Sequence, residues 1–292
     1  MTLRDTYNRP ITNLRVSLTP RCNLNCIYCH SEGEKNPKGE MSAAEIGDII
    51  NTAAEFGVRS VKFTGGEPLL RTDLADIISA VPKGIECSMT TNGTLLADIA
   101  SDLHDAGLKR VNISVDSLDR EKYKRISGKD LLPDVISGIE AAIDVGLTPV
   151  KLNMVVLDGI NDNEVTGFLA YVRNNPDLIL QLIELMDFKD CPYHSDLSGL
   201  EQDLASRSKV MMTRRMHHRK KYCIDNAEVE VVRPLHNTEF CAFCNRLRVT
   251  SDGKLKPCLL KTENHLDIRG KKGEELKEMF REAVRLREPY YK

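Results

Sequence analysis

Short apolar runs of β character alternate with longer amphipathic stretches through the first two-thirds of this 292-residue chain. The candidate strands are Leu14–Leu18, Ser60–Thr64, Glu86–Thr90, Arg110–Val115, Pro149–Val155 and Leu178–Met186. The helical patterns between them span Ala43–Phe56, Asp73–Val81, Leu95–Ala106, Pro133–Val145 and Asn163–Asn174. Ser42 followed by Glu45 reads as a capping box. Gly57, Gly107 and Gly146 stand just past helix ends, where left-handed closure favours glycine. Alternation at this spacing predicts α/β architecture, with parallel strands joined by right-handed crossovers. Six such units are two short of a closed (β/α)8 barrel. Periodicity alone leaves two solutions, an open doubly wound sheet or an incomplete barrel.

After about residue 187 the rhythm ceases. Residues 189–222 end in a basic run, Arg214 to Lys221, and are followed by a strand-like AEVEVVRP, a cysteine pair and a hairpin pattern turning at Ser251-Asp252-Gly253. A charged helix, Gly270–Arg285, comes last. We therefore expect two parts, an α/β unit over 1–222 and a C-terminal region over 223–292. A net charge of −2 offers no general attraction for nucleic acid. No apolar run approaches the roughly 18 residues that cross a membrane, and the N-terminus lacks the apolar core of a signal peptide. The expected location is cytoplasmic. In that reducing setting, clustered cysteines read as metal ligands or catalytic groups instead of disulfides.

Six of the nine cysteines fall into two sets. Cys22, Cys26 and Cys29 form C-x3-C-x2-C on a loop after the first candidate strand, the end at which parallel α/β folds build their sites. With His30 they would make a four-ligand zinc site. On a four-iron cubane they would leave one iron unclaimed and open to substrate. Cys241, Cys244 and Cys258 form C-x2-C-x13-C, a zinc-ribbon spacing short of a ligand that His236 or Cys223 would supply, or again an open cluster. Arg246 and Arg248 follow that pair at alternate positions of a strand pattern and share a face. Their planar guanidinium donors suit phosphate. Cys87, Cys191 and Cys223 read as incidental thiols.

The segment RCNLNCIYCH, with Tyr28 before its last cysteine, closely resembles the signature of radical S-adenosylmethionine (radical SAM) enzymes. The resemblance implies that Cys22, Cys26 and Cys29 hold a 4Fe-4S cluster whose open iron is chelated by S-adenosylmethionine, and that reduction cleaves that molecule to a 5′-deoxyadenosyl radical. It implies that Gly65, Gly66 and Glu67 of the GGEP stretch bind its amino group. By the same resemblance Tyr28, Thr91, Asn92 and Ser114 are cofactor contacts, and Gly159-Ile160-Asn161-Asp162 is an adenine-side turn. Asn112, Ser114 and Asp116 alternate along the fourth strand pattern and share a face. For Asp116 a purely structural carboxylate is an equal reading.

Taken together, the two cysteine sets in this order, with Asn245-Arg246-Leu247-Arg248 after the second pair, closely resemble the GTP 3′,8-cyclase family from Arg15 to Cys258. That resemblance implies an incomplete (β/α)6 TIM-type barrel whose open side is covered by a C-terminal iron–sulfur cluster region. It implies a second 4Fe-4S cluster that binds guanine, and cyclisation of GTP by hydrogen abstraction at C3′ and attack on C8, the first step of molybdenum cofactor biosynthesis. Arg15, Lys62, Lys151, Arg246 and Arg248 are the implied triphosphate ligands, although Lys62, between Val61 and Phe63, is also compatible with facing solvent. An electron donor and a downstream pterin synthase are implied partners, with the enzyme a monomer or homodimer. Two departures stand out. Gln181 replaces an arginine found in many members, which removes one phosphate ligand, and the chain ends Glu-Pro-Tyr-Tyr-Lys where Gly-Gly is usual. The basic run reads either as an anion-binding arm at the barrel mouth or as a solvated helix face. A peptide-modifying radical SAM enzyme and a non-enzymatic iron–sulfur or zinc protein are the competing functions. The first usually carries more C-terminal cysteines, and the second has no need of so large an α/β domain.

Overall fold

A computed structural model of the chain describes residues 2–34, 39–186, 191–261 and 263–291. In chain order its elements are β1 (Asn13–Ser17), α1 (Ala43–Glu55), β2 (Ser60–Thr64), α2 (Leu74–Ser79), β3 (Glu86–Thr91), α3 (Ala100–Asp105), β4 (Arg110–Ser114), α4 (Arg120–Ser127), α5 (Leu132–Asp144), β5 (Val150–Val156), α6 (Val165–Val172) and β6 (Leu178–Glu184). There follow α7 (Ser198–Arg207), β7 (Val210–Thr213), β8 (Lys220–Ile224), β9 (Ala227–Val232), α8 (Thr238–Ala242), β10 (Arg246–Val249), β11 (Lys254–Lys256), β12 (Leu266–Asp267) and α9 (Gly273–Arg285). Ser42 and Glu45 form the expected capping box at α1. Asp119 caps α4 by accepting from the Lys122 amide at 2.9 Å, and Gly128 closes that helix at φ +78°.

All the strands belong to one sheet in the order β12-β11-β10-β1-β2-β3-β4-β5-β6-β9-β8-β7. β1 to β6 are parallel in sequence order. The C-terminal segment then joins both edges: β9 pairs parallel with β6, and β10 pairs parallel with β1. The sheet is not closed, because β12 and β7 end the order and do not pair with each other. This is an incomplete barrel.

Alternation along the strands separates two environments. Leu14, Val16, Val61, Phe63, Met89, Val111, Ile113, Leu152, Met154, Leu180, Leu182, Val229 and Leu247 are wholly buried in the main apolar core. Each such side chain contributes about 1.5–3 kcal/mol. The other strand face is polar. Arg248, Arg15 and Lys62 are register partners across β10, β1 and β2. Asn112 partners Lys151, and Asn153, Gln181 and Glu230 partner one another across β5, β6 and β9. Lys62 lies on this inner face, with Nζ 2.8 Å from Asn112 Oδ1, and not in solvent. The basic run is not a helix. Its residues form the turn and second strand of the β7–β8 hairpin.

The loop after β1 is built into the strand ends beside it. The Gly66 amide donates to Thr19 O at 2.6 Å, and the Glu67 amide to Arg21 O at 2.7 Å. A methyl group at Gly66 would lie 2.1 Å from Arg21 O and 2.5 Å from its carbonyl carbon. Both atoms are backbone, so no side-chain rotation relieves the clash. Gly66→Ala is therefore expected to destabilise the fold by about 1–3 kcal/mol, as overpacking does, and to displace the cysteine loop. Denaturant unfolding and retention of iron by the reconstituted variant check this. Wild-type stability together with full iron retention would contradict it.

Candidate active site

The first cysteine loop is tied to the ends of three further strands. The Tyr28 hydroxyl donates to Asp116 Oδ2 at 2.6 Å, just past β4, and Asp116 Oδ1 accepts from the Val155 amide at 2.9 Å. Asn92, just past β3, donates through Nδ2 to Asn23 Oδ1 at 2.7 Å, and the same nitrogen lies 4.0 Å from Cys22 Sγ. The Leu24 and Ser31 amides donate to the sulfurs of Cys22 and Cys29 at 3.5 and 3.4 Å. Asn161 is wholly buried and fastens the turn after β5, donating to the carbonyls of Asp116 and Val155 and accepting from the Leu157 amide.

These thiols fit a metal cluster. Burial pushes the Cys22 and Cys26 thiols up, and the Glu67 and Asp116 carboxylates respectively add to it. Positive metal charge is what would hold all three as thiolates. Among the described residues no three His, Cys, Asp or Glu side chains close on a single ion. A cubane asks for less convergence, since each thiolate binds its own iron. His30 lies in the field of Glu32, Arg248, Arg15 and Lys256. Beside the loop, the carbonyls of Gly65 and Gly66 accept no hydrogen bond among the described residues. Two free acceptors at a strand end suit an ammonium group.

Glu67 and Thr91 face each other. The buried Glu67 carboxylate accepts from Thr91 Oγ1 at 2.6 Å and from the amides of Asn92 and Leu69 at 2.7 and 3.0 Å. In this structure both side chains therefore brace the second and third strand ends. Ser114 is half-buried and is the register partner of Asn153.

The second cysteine set lies at the other end of the barrel. β10 runs parallel to β1, and Cys241 and Cys244 precede it, whereas Cys22, Cys26 and Cys29 follow β1. β11 returns antiparallel with Lys256 opposite Arg248, which brings Cys258 back toward the pair. Both Cys244 and Cys258 contribute to the field at Arg248. A buried clamp holds the pair's backbone. Asp5 Oδ2 accepts from Arg9 Nε at 2.7 Å and from an Arg287 nitrogen at 2.8 Å. Those two guanidiniums donate in turn to Cys241 O at 2.8 Å and Cys244 O at 2.7 Å. Burial alone would raise the Cys244 thiol, but Arg287, Arg246 and Arg248 outweigh it and hold the thiol below its usual value.

Between the two ends lies a lumen with excess positive charge. Arg246 donates to Asn13 Oδ1 at 2.9 Å. Arg15 and Arg248 reach opposite oxygens of Glu32 at 3.5 and 3.1 Å. Lys151 Nζ lies 2.8 Å from Glu230 Oε1, where Arg214 and Arg219 also converge. Among the described residues, eight basic side chains (Arg15, Lys62, Lys151, Arg214, Arg219, Arg246, Arg248 and Lys256) thus share three carboxylates, Glu32, Glu34 and Glu230. Sequence reasoning missed both partners of these arginines. Glu230 was visible as a charge alternating with valines in AEVEVV, and Glu32 as one of two acids closely following Cys29. The Asp5–Arg9–Arg287 clamp joins the two ends of the chain, and no local pattern announces it.

Two outcomes follow from this geometry. Arg287→Lys keeps the charge but loses the fork that reaches both Asp5 and Cys244 O. It is expected to cost about 3 kcal/mol and to lower iron content toward half, with iron at the first cysteine set retained. Iron and sulfide quantification on the reconstituted protein reads this directly, and full iron content would count against the clamp. The second outcome concerns pH. Burial pushes the Glu67 carboxyl from 4.5 up to about 7. The native state then keeps a proton that the unfolded chain releases. This contribution is complete below pH 4.5 and is lost as pH rises through about 7, amounting to about 3 kcal/mol at most. Urea unfolding at about pH 5 and about pH 8 should show a smaller loss for Glu67→Gln than for wild type; equal losses would remove Glu67 as the cause.

Comparison with known proteins gives the site its family. A model described as the radical SAM superfamily matches residues 16–172, and one described as Molybdenum Cofactor Synthesis C matches residues 178–292. Curated relatives named "Probable GTP 3',8-cyclase" include those of Archaeoglobus fulgidus, 51% identical with 99% of each chain covered, and Methanocella arvoryzae, 50% identical over 99% of this chain and 95% of that one. Among solved structures, Streptococcus suis SuiB bound to precursor peptide SuiA superposes with TM-score 0.70 at 16% identity, covering 94% of this chain and 68% of that chain. SuiB bound to S-adenosylmethionine gives 0.69 at 17% identity, and there this chain spans 65% of the SuiB chain. anSMEcpe with bound AdoMet gives 0.61 at 20% identity, covering 91% and 80%. These structural likenesses, at such identities, speak for the fold. The sequence relatives speak for more: this chain belongs to the GTP 3′,8-cyclase family of the radical SAM superfamily.

Proposed function

We propose that this chain converts GTP to 3′,8-cyclo-7,8-dihydroguanosine 5′-triphosphate, the first step of molybdenum cofactor biosynthesis. Curated relatives of about half identity carry the name of that activity. The observation in the structure that carries the reading is the placement of two three-cysteine sets at opposite ends of a cation-lined lumen. Its depth along β1 is roughly 15 Å, enough to hold one nucleotide between them. When bound, the first 4Fe-4S cluster with S-adenosylmethionine supplies a 5′-deoxyadenosyl radical, and the second supplies an open iron for the purine.

The chain's own residues do the rest. Cys22, Cys26 and Cys29 would hold the first cluster, and Cys241, Cys244 and Cys258 the second. The carbonyls of Gly65 and Gly66 would take the cofactor's ammonium group, with Tyr28, Glu67, Thr91, Asn92 and Ser114 shaping its seat. Arg15, Lys62, Lys151, Arg246 and Arg248 would bind the triphosphate, drawing its negative charge into the field they leave uncompensated. The enclosing strands keep water and stray C–H bonds away from a reactive carbon radical. An external electron donor and a pterin synthase acting on the product complete the sequence. A cytoplasmic location and a monomeric or homodimeric state belong to the same proposal; among the described residues no helix is long and apolar enough to cross a membrane.

Anaerobic reconstitution with S-adenosylmethionine, a reductant and GTP tests the reading. 5′-Deoxyadenosine should form in a GTP-dependent manner, together with a cyclised nucleotide. Deoxyadenosine formation indifferent to GTP, with no cyclised product, would overturn it. Arg246→Ala and Arg248→Ala are expected to raise the GTP KM roughly tenfold to a hundredfold with iron content unchanged. Loss of iron in these variants would make the arginines structural instead.

A further inference from the structure

We infer that Arg219, carried into the barrel by the β7–β8 hairpin with Arg214 beside it, is a phosphate ligand of the nucleotide. The inference rests on the GTP reading above and names a ligand that reading does not contain. β7 and β8 pair from Val210↔Cys223 to Thr213↔Lys220, and the Arg214 amide donates to Arg219 O at 2.8 Å. The hairpin's turn therefore starts and ends in an arginine. Both side chains turn inward to Glu230, whose side chain is wholly buried on β9.

Charge at this corner does not balance. Among the described residues it holds one carboxylate, Glu230, against three basic side chains, Lys151, Arg214 and Arg219. Arg219 keeps only 13% of its side chain exposed, lies 3.6 Å from Glu230 Oε2, and donates to Gln181 Oε1 at 3.1 Å. Among the described residues, the buried Nε atoms of Arg219 and Arg214 have no hydrogen-bond partner, nor has Glu230 Oε2. A buried guanidinium with an unused donor, in a cluster rich in basic groups, is suited to receive an anion. The field is continuous with the rest of the lumen, since Arg15 acts on Arg219, and Arg219 on Arg246.

Gln181 makes the assignment specific. It is the register partner of Glu230 and Asn153, on the inner face of β6. Its neutral amide bridges Asn153 and Arg219, donating to the first at 3.1 Å and accepting from the second. The cation at this corner thus comes from the hairpin and not from the strand. An arginine at 181 would project from almost the same place.

Equilibrium binding to the anaerobically reconstituted holoenzyme tests this, with GTP and guanosine as probes. Arg219→Ala should weaken GTP binding roughly tenfold to a hundredfold and leave guanosine binding and iron content as in wild type. Arg219→Lys should fall between, since it keeps charge without the fork. Adding Gln181→Arg to Arg219→Ala should recover most of the lost GTP affinity. The assignment is overturned if Arg219→Ala binds GTP within about twofold of wild type, or if GTP and guanosine weaken equally. Wild-type protein that binds neither nucleotide would instead bring down the GTP reading, and this assignment with it.

Discussion

Like charges crowded into a low-dielectric lumen are the constraint around which this molecule is arranged. Arg15 and Arg248 are register partners on adjacent strands, so their backbones stand about 5 Å apart. Two unit charges at about 4 Å repel by about 4 kcal/mol even at an effective dielectric of about 20. Glu32 meets this by placing one carboxylate oxygen against each arginine and accepting from Thr64 Oγ1 at 3.0 Å. Burial opposes its charge, yet Arg15 and Arg248 hold its pKa at about 2. Its backbone takes a left-handed φ of +51° to reach that position, a conformation that costs a non-glycine residue about 1 kcal/mol. The arginine contacts are what hold it there.

A second constraint is geometric. Three cysteines can serve one cluster only if their loop is rigid, and a loop has no ladder to fix it. Here the fixing comes from neighbouring strand ends: Gly66 and Glu67 after β2, Asn92 after β3 and Asp116 after β4. Parallel topology makes this possible, because it gathers every such end on one face. The GG pair therefore serves packing first, since a side chain at Gly66 would meet backbone, and its carbonyls, which accept no hydrogen bond among the described residues, are what remain for a ligand.

How much of this was legible follows from the range of each interaction. The six parallel strands and their helices were readable because period and capping are local, and Ser60–Thr64 agrees to the residue. α4 was missed because it is short and charged, and buries only Tyr123, Ile126 and Ser127. β7 carried no usable pattern, with Val210, Met211 and Met212 exposed on an edge strand. The cysteine sets and Arg246 and Arg248 were legible as spacings. What those arginines face was not: Glu32 lies 216 residues from Arg248, and Asp5 lies 282 from Arg287. The basic run was left between two readings because a sequence cannot show that a hairpin turns its arginines inward.

The two thiol sets, alike in count, stand in opposite fields. Glu67 and Asp116 act on the first, and burial there pushes Cys22 and Cys26 up. Arg287, Arg246 and Arg248 act on the second, and Cys244 is held down. Nearby carboxylates disfavour added negative charge on a cluster, and nearby cations favour it. Thiolate ligands and a nucleotide triphosphate both bring negative charge, and among the described residues the second set has Arg287, Arg246 and Arg248 set against it. On the proposed reading, a nucleotide entering this lumen turns its phosphates toward the arginines on β10 and the hairpin. That reading leaves the ribose in the stretch between the two cysteine sets, where a radical formed at the first would have to act.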